Sequence, residues 1–427
     1  MQISDIHSLF LSCSSVIIDT RKIVENSFFV ALKGERFDAN TFAKEALEKG
    51  ASYVLIDNES FYIDDRTILV ENTLVTLQEL AKFHRAFLGI PIIALTGSNG
   101  KTTTKELINV VLSKKYNVKA TVGNLNNHIG VPLTLLSFDA STEIGIVEMG
   151  ANHQKEIAFL CQIAQPDFGY ITNFGKAHLE GFGGIEGVIK GKSEMYDFLK
   201  KHHKKVFVNL DDSIQNEKTL SFERITFSQT DVDSFLYIEN SSANPLVSVS
   251  YHKTTINSNL IGLYNANNIN AAISIGLYFE VSNEDIKSAI ESFIPENNRS
   301  QLISKDSNEI VLDAYNANPS SMKVAIENFI QLENDSKMMI LGDMFELGDD
   351  SFEEHGNIVR MVAPIHNIKS IFVGDHFFSV KTNQPNVLFF KTFDDFSNYI
   401  KNNKPNHSIL LIKGSRGMSL ERTLDFI

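Results

Sequence analysis

A short loop between an apolar run and a helical pattern contains residues that could bind phosphate. The apolar run covers 92–95, and the loop reads Thr-Gly-Ser-Asn-Gly-Lys-Thr over 96–102. Glycines let backbone N–H groups approach phosphate oxygens, and the N-terminus of the following helix adds positive dipole. The Lys101 ammonium can reach β- or γ-phosphates, and the Thr102 hydroxyl can hold Mg²⁺. Leu95 stands where the longer G-x-x-x-x-G-K-[ST] loop has its first glycine. Because strand, loop, Lys-Thr pair and helix agree, we interpret this shorter loop as a nucleotide site.

Three further residues could act beside that loop. Glu148 ends the apolar run 144–147, and a strand that delivers a carboxylate there is well placed to bind Mg²⁺ directly or through water. His178 lies in a glycine-containing loop after another apolar run, but such a lone histidine is more often structural than a metal ligand. Lys192 lies where the pattern predicts the beginning of a helix, and by itself it would be a solvated cation.

Two polar stretches could either bind a ligand or have only a local structural role. The loop 123–132 contains Asn124, Asn126 and Asn127, which could hold a polar ligand or cap the loop. The segment Asp-Thr-Arg over 19–21 places an acid and a base close together, and a surface salt bridge is an equal alternative.

Three α/β domains are predicted to position these residues, since 427 residues at about 150 per domain suggest roughly three. Residues 1–86 form a small unit, with strands at 28–32, 53–56 and 68–70 and helices at 41–49 and 73–87. Asn40 is the predicted N-cap of the first of these helices. Residues 87–296 hold the phosphate loop, and alternation at 235–237 and 247–251 predicts antiparallel strands.

From 297 onward, strands and helices alternate. Strands are predicted at 310–312, 338–341, 371–373, 387–389 and 409–412, with helices between them that include 320–332 and 351–361. This spacing predicts a mostly parallel, doubly wound sheet, in which ligands bind at the carboxyl ends of strands. Three polar loops fall at those ends, at 313–319, 342–348 and 413–417. We therefore expect a functional face there.

Composition narrows the class of protein. The formal net charge of −13 argues against broad nucleic-acid binding. No apolar run is long enough to span a membrane, and the first residues lack the basic flank and apolar stretch of a signal peptide. Cys13 and Cys161 form no C-x-x-C pair, so reduced thiols in a cytoplasm are expected.

Several motifs together resemble the Mur ligases. They are the phosphate loop with its helix start (96–106), G-N-L-N-N-x-I-G-V-P (123–132), E-M-G (148–150), I-T-N (171–173), H-L-E-G-F-G (178–183) and N-A-N-N-I-N-A-A (265–272). D-T-R (19–21) and A-L-K-G-E-R-F-D-A-N (31–40) extend the resemblance to the first domain. In the third domain, L-D-A-Y-N-A-N-P (312–319), L-G-D-M-F-E-L-G (341–348) and K-G-S-R-G-M (413–418) resemble the members that use D-alanyl-D-alanine.

The resemblance implies a three-domain architecture and a set of roles. It implies a small N-terminal α/β domain that binds a UDP-muramyl substrate (1–86), a central P-loop α/β domain that binds ATP (87–296) and a C-terminal Rossmann-like doubly wound domain (297–427). The implied catalytic residues are Lys101, Glu148, His178 and Lys192. The implied nucleotide-binding residues are Gly97, Ser98, Asn99, Gly100, Lys101, Thr102, Thr103, Asn268, Arg299, Asp313, Tyr315 and Asn316. The implied substrate residues are Thr20, Arg21, Asn124, Asn126, Asn127, Asp343, Glu346, Lys413, Ser415 and Arg416.

The cofactors and chemistry follow from the same resemblance. It implies ATP and two Mg²⁺ ions held by Thr102, Glu148, His178 and Lys192, with Lys192 carrying CO₂ as a carbamate. The implied reaction joins D-alanyl-D-alanine to UDP-N-acetylmuramoyl-tripeptide through an acyl phosphate, with release of ADP and phosphate. The resemblance also implies that the protein is a cytoplasmic monomer without a nucleic-acid partner or a membrane segment.

Two other functions remain open at this point. A sister ligase, such as a folylpolyglutamate synthetase or another Mur enzyme, would share the central domain. A nucleotide-dependent switch would hydrolyse ATP without forming a bond. The third residue of the peptide, diaminopimelate or lysine, is also undetermined.

Overall fold

Three largely parallel sheets follow one another along the chain in the computed structural model, which describes residues 1–295 and 298–427. The first predicted boundary, near residue 86, falls inside a helix that ends at Leu88. The second predicted boundary, at 296/297, lies outside the described residues. No helix in the described ranges is both long and apolar enough to cross a bilayer.

The first unit is a four-stranded parallel sheet of order β1-β2-β5-β6 with helices around it. Its elements are α1 (Ile3–Leu11), β1 (Ser15–Ile17), β2 (Ser27–Val30), β3 (Lys33–Gly34), β4 (Phe37–Asp38), α2 (Ala43–Glu48), β5 (Ala51–Ile56), β6 (Thr67–Leu69) and α3 (Thr73–Leu88). The three predicted strands and both helices are present, but α1 and β1 were not predicted. The predicted N-cap was wrong: Asn40 is buried, and its side-chain carbonyl accepts the Asp57 N–H at 3.0 Å.

The second unit is a seven-stranded parallel sheet of order β13-β12-β11-β10-β7-β9-β8 beside a small antiparallel sheet β14-β15-β16. Its first elements are β7 (Ile92–Thr96), α4 (Lys101–Leu112), β8 (Val118–Ala120), α5 (Gly130–Leu136), β9 (Ile144–Glu148), α6 (Glu156–Ala164), β10 (Phe168–Ile171), α7 (Leu179–Phe182) and α8 (Ile185–Lys201). The remaining elements are β11 (Lys205–Asn209), α9 (Ser213–Lys218), β12 (Arg224–Ser228), β13 (Leu236–Tyr237), β14 (Asn240–Ala243), β15 (Leu246–Tyr251), β16 (Thr254–Ile261), α10 (Ala266–Tyr278) and α11 (Asn283–Ser292).

The order of this sheet explains the apolar runs around the site. β7 lies between β10 and β9 and is buried along its whole length, so its sequence is apolar at nearly every position. The antiparallel prediction was correct for β15 but wrong for 235–237, because β13 pairs with β12 in parallel.

The third unit is a six-stranded sheet of order β17-β18-β22-β19-β20-β21, in which only β17 is antiparallel to its neighbour. Its elements are β17 (Gln301–Lys305), β18 (Asn308–Asp313), α12 (Pro319–Gln331), β19 (Lys337–Gly342), α13 (Ser351–Val362), β20 (Ile368–Val373), α14 (Asp375–Ser379), β21 (Val387–Phe390), α15 (Phe393–Asn402) and β22 (Ile409–Lys413). Alternate residues of β22 belong to two different apolar clusters, since Leu411 packs in one and Leu410 and Ile412 in the other. Both faces of the sheet are therefore covered, which confirms the doubly wound prediction.

Candidate functional site

A cleft of about 740 Å³ lies between the second and third units. The loops that follow β7 and β10 and the last residue of β9 line one side, and the loop that follows β18 and the last residue of β22 line the other. These are the carboxyl ends of parallel strands, where open α/β sheets bind ligands. Of the three polar loops predicted in the third unit, 313–319 and the start of 413–417 reach this cleft, whereas 342–348 does not line it.

The phosphate loop adopts a conformation that requires its two glycines. Gly97 has φ +144°, and a Cβ there would lie 2.0 Å from the Thr172 hydroxyl oxygen. Gly100 has φ +78°, and a Cβ there would lie 2.6 Å from the Asn268 side-chain oxygen. The loop runs directly into α4, whose first amides have no acceptor within the helix, and residues 100–103 at this helix start line the cleft. The loop therefore presents backbone donors and positive dipole, as phosphate requires.

The end of β10 holds this loop in place. The Ser98 N–H donates to the Asn173 carbonyl at 3.0 Å, and the Asn99 N–H donates to the Asn173 side chain at 3.1 Å. The Thr172 hydroxyl donates to the Asn99 carbonyl at 2.6 Å. The loop is thus fixed before any ligand binds, and Thr172 and Asn173 are site residues that the sequence showed only as a motif.

Lys101 lies over the loop. Its Nζ donates to the carbonyl of Gly97 at 2.8 Å. Burial lowers the pKa of this ammonium, and the nearby Glu148 carboxylate partly offsets that effect. A cation held in this way by carbonyls can exchange them for phosphate oxygens, so its position agrees with the predicted role.

Asn268 supports the loop from behind, on the first turn of α10. Its side-chain oxygen accepts the Thr104 hydroxyl at 3.0 Å, and its side-chain amide donates to Asn265 at 2.8 Å. Both contacts are buried. The residue lines the cleft, as predicted for a nucleotide-binding residue.

Glu148 is a buried carboxylate, and only one of its two oxygens accepts a hydrogen bond. Its Oε1 accepts the Asn126 side-chain amide at 2.9 Å, while its Oε2 is buried and has no hydrogen-bond partner among the described residues. A buried unpaired carboxylate oxygen is costly unless something compensates it. The orphaned oxygen therefore fits a divalent cation, and Asn126 acts as the group that orients it.

His178 lines the same cleft from the loop after β10 and has φ +53°, which is uncommon for a residue with a side chain. Its Nδ1 contacts the carboxylate of Glu346, which belongs to the third unit. That contact holds the pKa of Glu346 below its ordinary value.

Lys192 is buried in the middle of α8, and the sequence argument that placed it at a helix beginning was wrong. It shares a face with Val188, Met195 and Leu199, which are also buried. Its Nζ lies 3.2 Å from the Ala151 carbonyl and 5.1 Å from the centroid of the Phe182 ring. Burial, with the positive Lys101 nearby, lowers the pKa of this amine far below its ordinary value.

No group of three or more His, Cys, Asp and Glu side chains converges within the described ranges. Glu148 and His178 face one cleft, and no third such side chain in the described part of the chain completes a metal-binding group with them. The residues therefore fit a cation whose remaining ligands come from phosphate oxygens or from a modified side chain.

The third unit contributes an ion pair and an aromatic stack. The buried Lys413 Nζ lies 2.6 Å from the Asp313 carboxylate. The Arg299 guanidinium stacks on the Tyr315 ring with its Cζ 3.5 Å from the centroid, and Arg416 donates to the Tyr315 hydroxyl at 3.2 Å. The structure thus places Lys413 and Arg416 beside residues predicted for the nucleotide, although the sequence analysis assigned them to the dipeptide.

Two other predicted dipeptide residues have their polar groups engaged within the third unit. The buried Asp343 carboxylate accepts the backbone N–H groups of His376 and Phe377, each at 2.9 Å. The Ser415 hydroxyl accepts the Phe345 N–H at 2.9 Å and is also buried. Direct contact with a dipeptide stays a prediction for both, and their geometry favours a role in holding the 343–350 turn.

The predicted residues of the UDP-muramyl side do not line the cleft, although Asn126 contacts Glu148, which does. Arg21 forms a two-pronged ion pair with Asp19, with the closest atoms 2.7 Å apart, on an exposed turn of the first unit. Asn127 accepts the Gly130 N–H at 2.9 Å and so caps the start of α5. Asn124 is exposed, and Thr20 lies on the same turn as Arg21. Their substrate roles stay predictions.

Asn318 is a site residue that the sequence analysis did not single out. It caps α12, and its side-chain amide donates to the Asn99 side chain at 2.7 Å across the cleft. The Asn-Pro pair signals a helix beginning, but nothing in the sequence indicates a contact 219 residues away.

Two families of domains match the chain. The Mur ligase middle domain matches residues 95–276, and the Mur ligase, glutamate ligase domain matches residues 298–416. The two matched segments contain both walls of the cleft.

Three full-length relatives agree with these matches. The UDP-N-acetylmuramoyl-tripeptide–D-alanyl-D-alanine ligase of Bacillus subtilis (strain 168) is 34% identical over 421 residues, which cover 95% of this chain and 91% of that protein. A crystal structure of MurF from Acinetobacter baumannii has a TM-score of 0.87 at 29% identity and covers 99% of this chain and 97% of that one. A crystal structure of MurF ligase from Thermotoga maritima in complex with ADP has a TM-score of 0.85 at 26% identity, covering 98% of this chain and 97% of that one.

Proposed function

Because the chain belongs to the Mur ligases, among the UDP-N-acetylmuramoyl-tripeptide–D-alanyl-D-alanine ligases, we propose that the cleft between its second and third units is the active site. The enzyme is an ATP-dependent ligase that joins D-alanyl-D-alanine to UDP-N-acetylmuramoyl-tripeptide in peptidoglycan synthesis. One observation supports the proposed site most strongly. The phosphate loop, Glu148 and His178 follow three neighbouring parallel strands and face the same cleft.

The phosphate loop binds the β- and γ-phosphates of ATP. The residues proposed to contact the nucleotide are Gly97, Ser98, Asn99, Gly100, Lys101, Thr102, Thr103, Asn268, Arg299, Asp313, Tyr315 and Asn316. The Lys101 ammonium leaves the Gly97 carbonyl for a phosphate oxygen and neutralises charge that grows during transfer, which is the main task in phosphoryl transfer.

The reaction has two balanced steps. A carboxylate oxygen of the tripeptide attacks the γ-phosphorus, the bond from that phosphorus to the bridging oxygen breaks, and ADP leaves with the electron pair. The dipeptide amine then attacks the acyl carbon, the bond from this carbon to the phosphorylated oxygen breaks, and phosphate leaves with that oxygen. The amine nitrogen loses a proton as the amide forms. ATP is required because a free carboxylate has no usable leaving group.

Mg²⁺ would be held by Thr102, Glu148 and His178, and it would neutralise phosphate charge during transfer. The unpaired Glu148 Oε2 supports this assignment. We expect two ions, with the second held by a carbamate on Lys192.

The carbamate proposal has its own support in the environment of Lys192. An uncharged amine reacts with CO₂ to give a carbamate and a proton, and burial favours the uncharged amine at this position. Lys192→Ala should be nearly inactive, and a short carboxylic acid in the buffer should restore part of the rate. A ¹³CO₂ NMR spectrum of active enzyme with only a bare amine would exclude the carbamate.

The domain assignments follow the proposed chemistry. The first unit (1–86) would hold the UDP-muramyl part through Thr20 and Arg21, and the second unit (87–296) would hold ATP. The third unit (297–427) would close over the cleft and exclude water from the acyl phosphate. We also expect a cytoplasmic monomer without a nucleic-acid partner.

The side of the cleft on which Arg416 acts can be determined by kinetics. The dipeptide assignment predicts that Arg416→Ala raises the KM for D-alanyl-D-alanine more than the KM for ATP. A change in the KM for ATP alone would place Arg416 on the nucleotide side of the cleft, together with the Tyr315 ring that it contacts.

The proposed site is tested by phosphate release and by one variant. Release should require both UDP-N-acetylmuramoyl-tripeptide and D-alanyl-D-alanine, and lysine and diaminopimelate tripeptides compared side by side would identify the third residue. Lys101→Ala should lose on the order of 3 kcal/mol of transition-state stabilisation, which is more than a hundredfold in rate. A variant within threefold of the parent rate, with an unchanged melting temperature, would show that this loop is not catalytic.

A further inference from the structure

The contact between His178 and Glu346 joins two separate units of the fold. His178 lies at the N-terminus of α7 in the second unit, and Glu346 lies in the turn 343–350 of the third unit. The Glu346 side chain is about half exposed (52%), whereas His178 is more buried (21%). Glu346 is not required by any step of the ligation described above, so its carboxylate is available for another task.

The turn that carries Glu346 is anchored on three sides. The Asp343 carboxylate accepts two backbone amides at the start of α14, the Met344 N–H donates to the His355 Nε2 at 3.0 Å, and the Phe345 N–H donates to the Ser415 hydroxyl. His355 is itself fully buried. Because consecutive residues are fixed, Glu346 has little freedom to move relative to its unit. Its own φ of +61° is a strained value for a residue with a side chain.

The loop that carries His178 is anchored on the opposite side of the cleft. The Ser98 hydroxyl of the phosphate loop donates to the Gly175 carbonyl at 2.6 Å, and the Phe182 N–H donates to the His178 carbonyl at 3.1 Å. The position of His178 therefore depends on the same loop that holds phosphate. The imidazole ring can still rotate about its side-chain bonds, and contact with another side chain can fix its orientation.

The chemistry of the contact determines which imidazole nitrogen stays available. The His178 Nδ1 and the Glu346 carboxylate are in close contact but are not aligned as a hydrogen bond in the structure. An ionised carboxylate has lone pairs and no hydrogen to give, so a hydrogen on Nδ1 is the arrangement that avoids two lone pairs facing each other. In the uncharged imidazole the lone pair is then on Nε2, where it can bind a cation. A histidine that ligates a metal commonly donates its other N–H to a carboxylate, which fixes both the tautomer and the ring orientation.

We propose that Glu346 is a positioning residue that orients His178 across the domain junction, so that docking of the third unit completes the cation site. This inference rests on the proposed role of His178 at the cation. Glu346 would then orient His178 of the second unit, and would not have the dipeptide contact that the resemblance implied.

The chain provides a matched control for this contact. Lys176 and Glu354 form another ion pair between the same two units, with 2.5 Å between Nζ and Oε1, two residues before His178. Lys176 and Glu354 do not touch His178 in the described contacts and do not line the cleft. Glu354→Gln therefore weakens docking of the third unit without altering the partner of the imidazole.

The experiment measures how Mg²⁺ promotes the binding of ADP, by calorimetry in the absence of both peptide substrates. Glu346→Ala should raise the Mg²⁺ concentration for half-maximal binding by about 10-fold, which lies within the range seen when the partner of a metal ligand is removed. Glu346→Gln keeps an oxygen that accepts the Nδ1 hydrogen, so it should recover most of this loss. Glu354→Gln should stay within about twofold of the parent, as expected for a partly exposed ion pair.

A double variant separates this inference from the proposed function. In a His178→Ala background, Glu346→Ala should cause no further change in the Mg²⁺ dependence, because the residue it orients is gone. If Glu346→Ala matches Glu354→Gln, or raises only the KM for D-alanyl-D-alanine, the positioning role is wrong. If His178→Ala itself leaves the Mg²⁺ dependence unchanged, the assignment of His178 to the cation fails first.

Discussion

The two junctions between the units differ in how their polar groups are buried. Helix α3 of the first unit packs against the second unit through buried polar residues: Gln78 donates to the His128 carbonyl at 2.9 Å, and Arg85 pairs with Asp167 at 2.6 Å. The ion pairs between the second and third units each have one more exposed member: Lys176 is 47% exposed beside Glu354, and Glu346 is 52% exposed beside His178. Apolar residues of all three units belong to one continuous cluster, so the difference lies mainly in the polar contacts.

Burial determines what it costs to separate each junction. Removing one partner of a buried ion pair leaves a charge without compensation, whereas an exposed pair exchanges its partner for water at little cost. The first junction should therefore stay closed for as long as the protein is folded. The second junction should open and close, as an enzyme that admits ATP and protects an acyl phosphate requires.

The largest expected effect is at the first junction. Arg85 is 9% exposed and also donates to the Gln165 carbonyl at 3.0 Å. Arg85→Ala removes the buried hydrogen bonds to Gln165 and Asp167, while Asp167 keeps Lys204 at 2.7 Å, so the free energy of unfolding should fall by about 2 kcal/mol. Urea unfolding at neutral pH measures the change.

Arg66→Ala is the control for this prediction, because Arg66 forms an ion pair of similar length, 2.7 Å, with Asp64 but on the exposed surface. It should cost less than about 1 kcal/mol. Equal losses in the two variants would mean that burial does not distinguish the first junction.

The next effect is a dependence of stability on pH. The His84 Nε2 donates to the Phe138 carbonyl at 2.9 Å, and the His84 Nδ1 lies 3.0 Å from the His7 Nε2. Burial lowers the pKa of His84, with the Phe138 carbonyl and Asp139 partly opposing it, and burial with the neighbouring His84 lowers the pKa of His7. Below pH 6.5 the unfolded chain therefore binds more protons, and the stability present at neutral pH is lost as the pH falls.

The slope cannot exceed about 1.4 kcal/mol per pH unit for each histidine. Thermal melts at pH 7.5 and 5.5 should show this loss in the parent, and a smaller loss in His84→Gln. Replacement of the exposed His203 should leave the difference unchanged. An equal loss in His84→Gln would assign the pH dependence to other groups.

Much of this molecule could be predicted because its signals are local. The phosphate loop is one such case, since the apolar strand, glycines, lysine and helix lie within about twenty residues of sequence. The doubly wound third unit is another, because each strand and helix has its own pattern. Their bounds differ from the predicted ones by only a few residues, as for β19 (Lys337–Gly342) against 338–341.

The remaining features depend on contacts that no local pattern records. Lys192 resembles a solvated lysine until the packing of α8 shows it to be buried, and Asn40 resembles a helix cap until Asp57 is found beside it. Asp343 is a polar residue at a strand end, which suggested a ligand contact, yet its carboxylate caps α14. Sequence position predicted where polar residues gather, but it could not show which of them face one another.

A small effect is expected at the second junction. Glu354→Gln removes the ion pair and leaves only the half-exposed Lys176 ammonium without its partner, so it should change the free energy of unfolding by less than about 1 kcal/mol. The same variant should shift the nucleotide-free enzyme toward open forms, which small-angle X-ray scattering detects as a larger radius of gyration. A large loss of stability with an unchanged radius would show that the second junction is as fixed as the first.

The central claim is that the cleft activates a carboxylate as an acyl phosphate, and the transfer of ¹⁸O tests it most directly. UDP-N-acetylmuramoyl-tripeptide labelled with ¹⁸O in its terminal carboxylate is incubated with the enzyme, ATP, Mg²⁺ and D-alanyl-D-alanine, and the released phosphate is analysed by mass spectrometry. One ¹⁸O per phosphate is predicted, because the oxygen that attacks the γ-phosphorus leaves with it. Unlabelled phosphate, with both ¹⁸O atoms still in the tripeptide, would contradict the account.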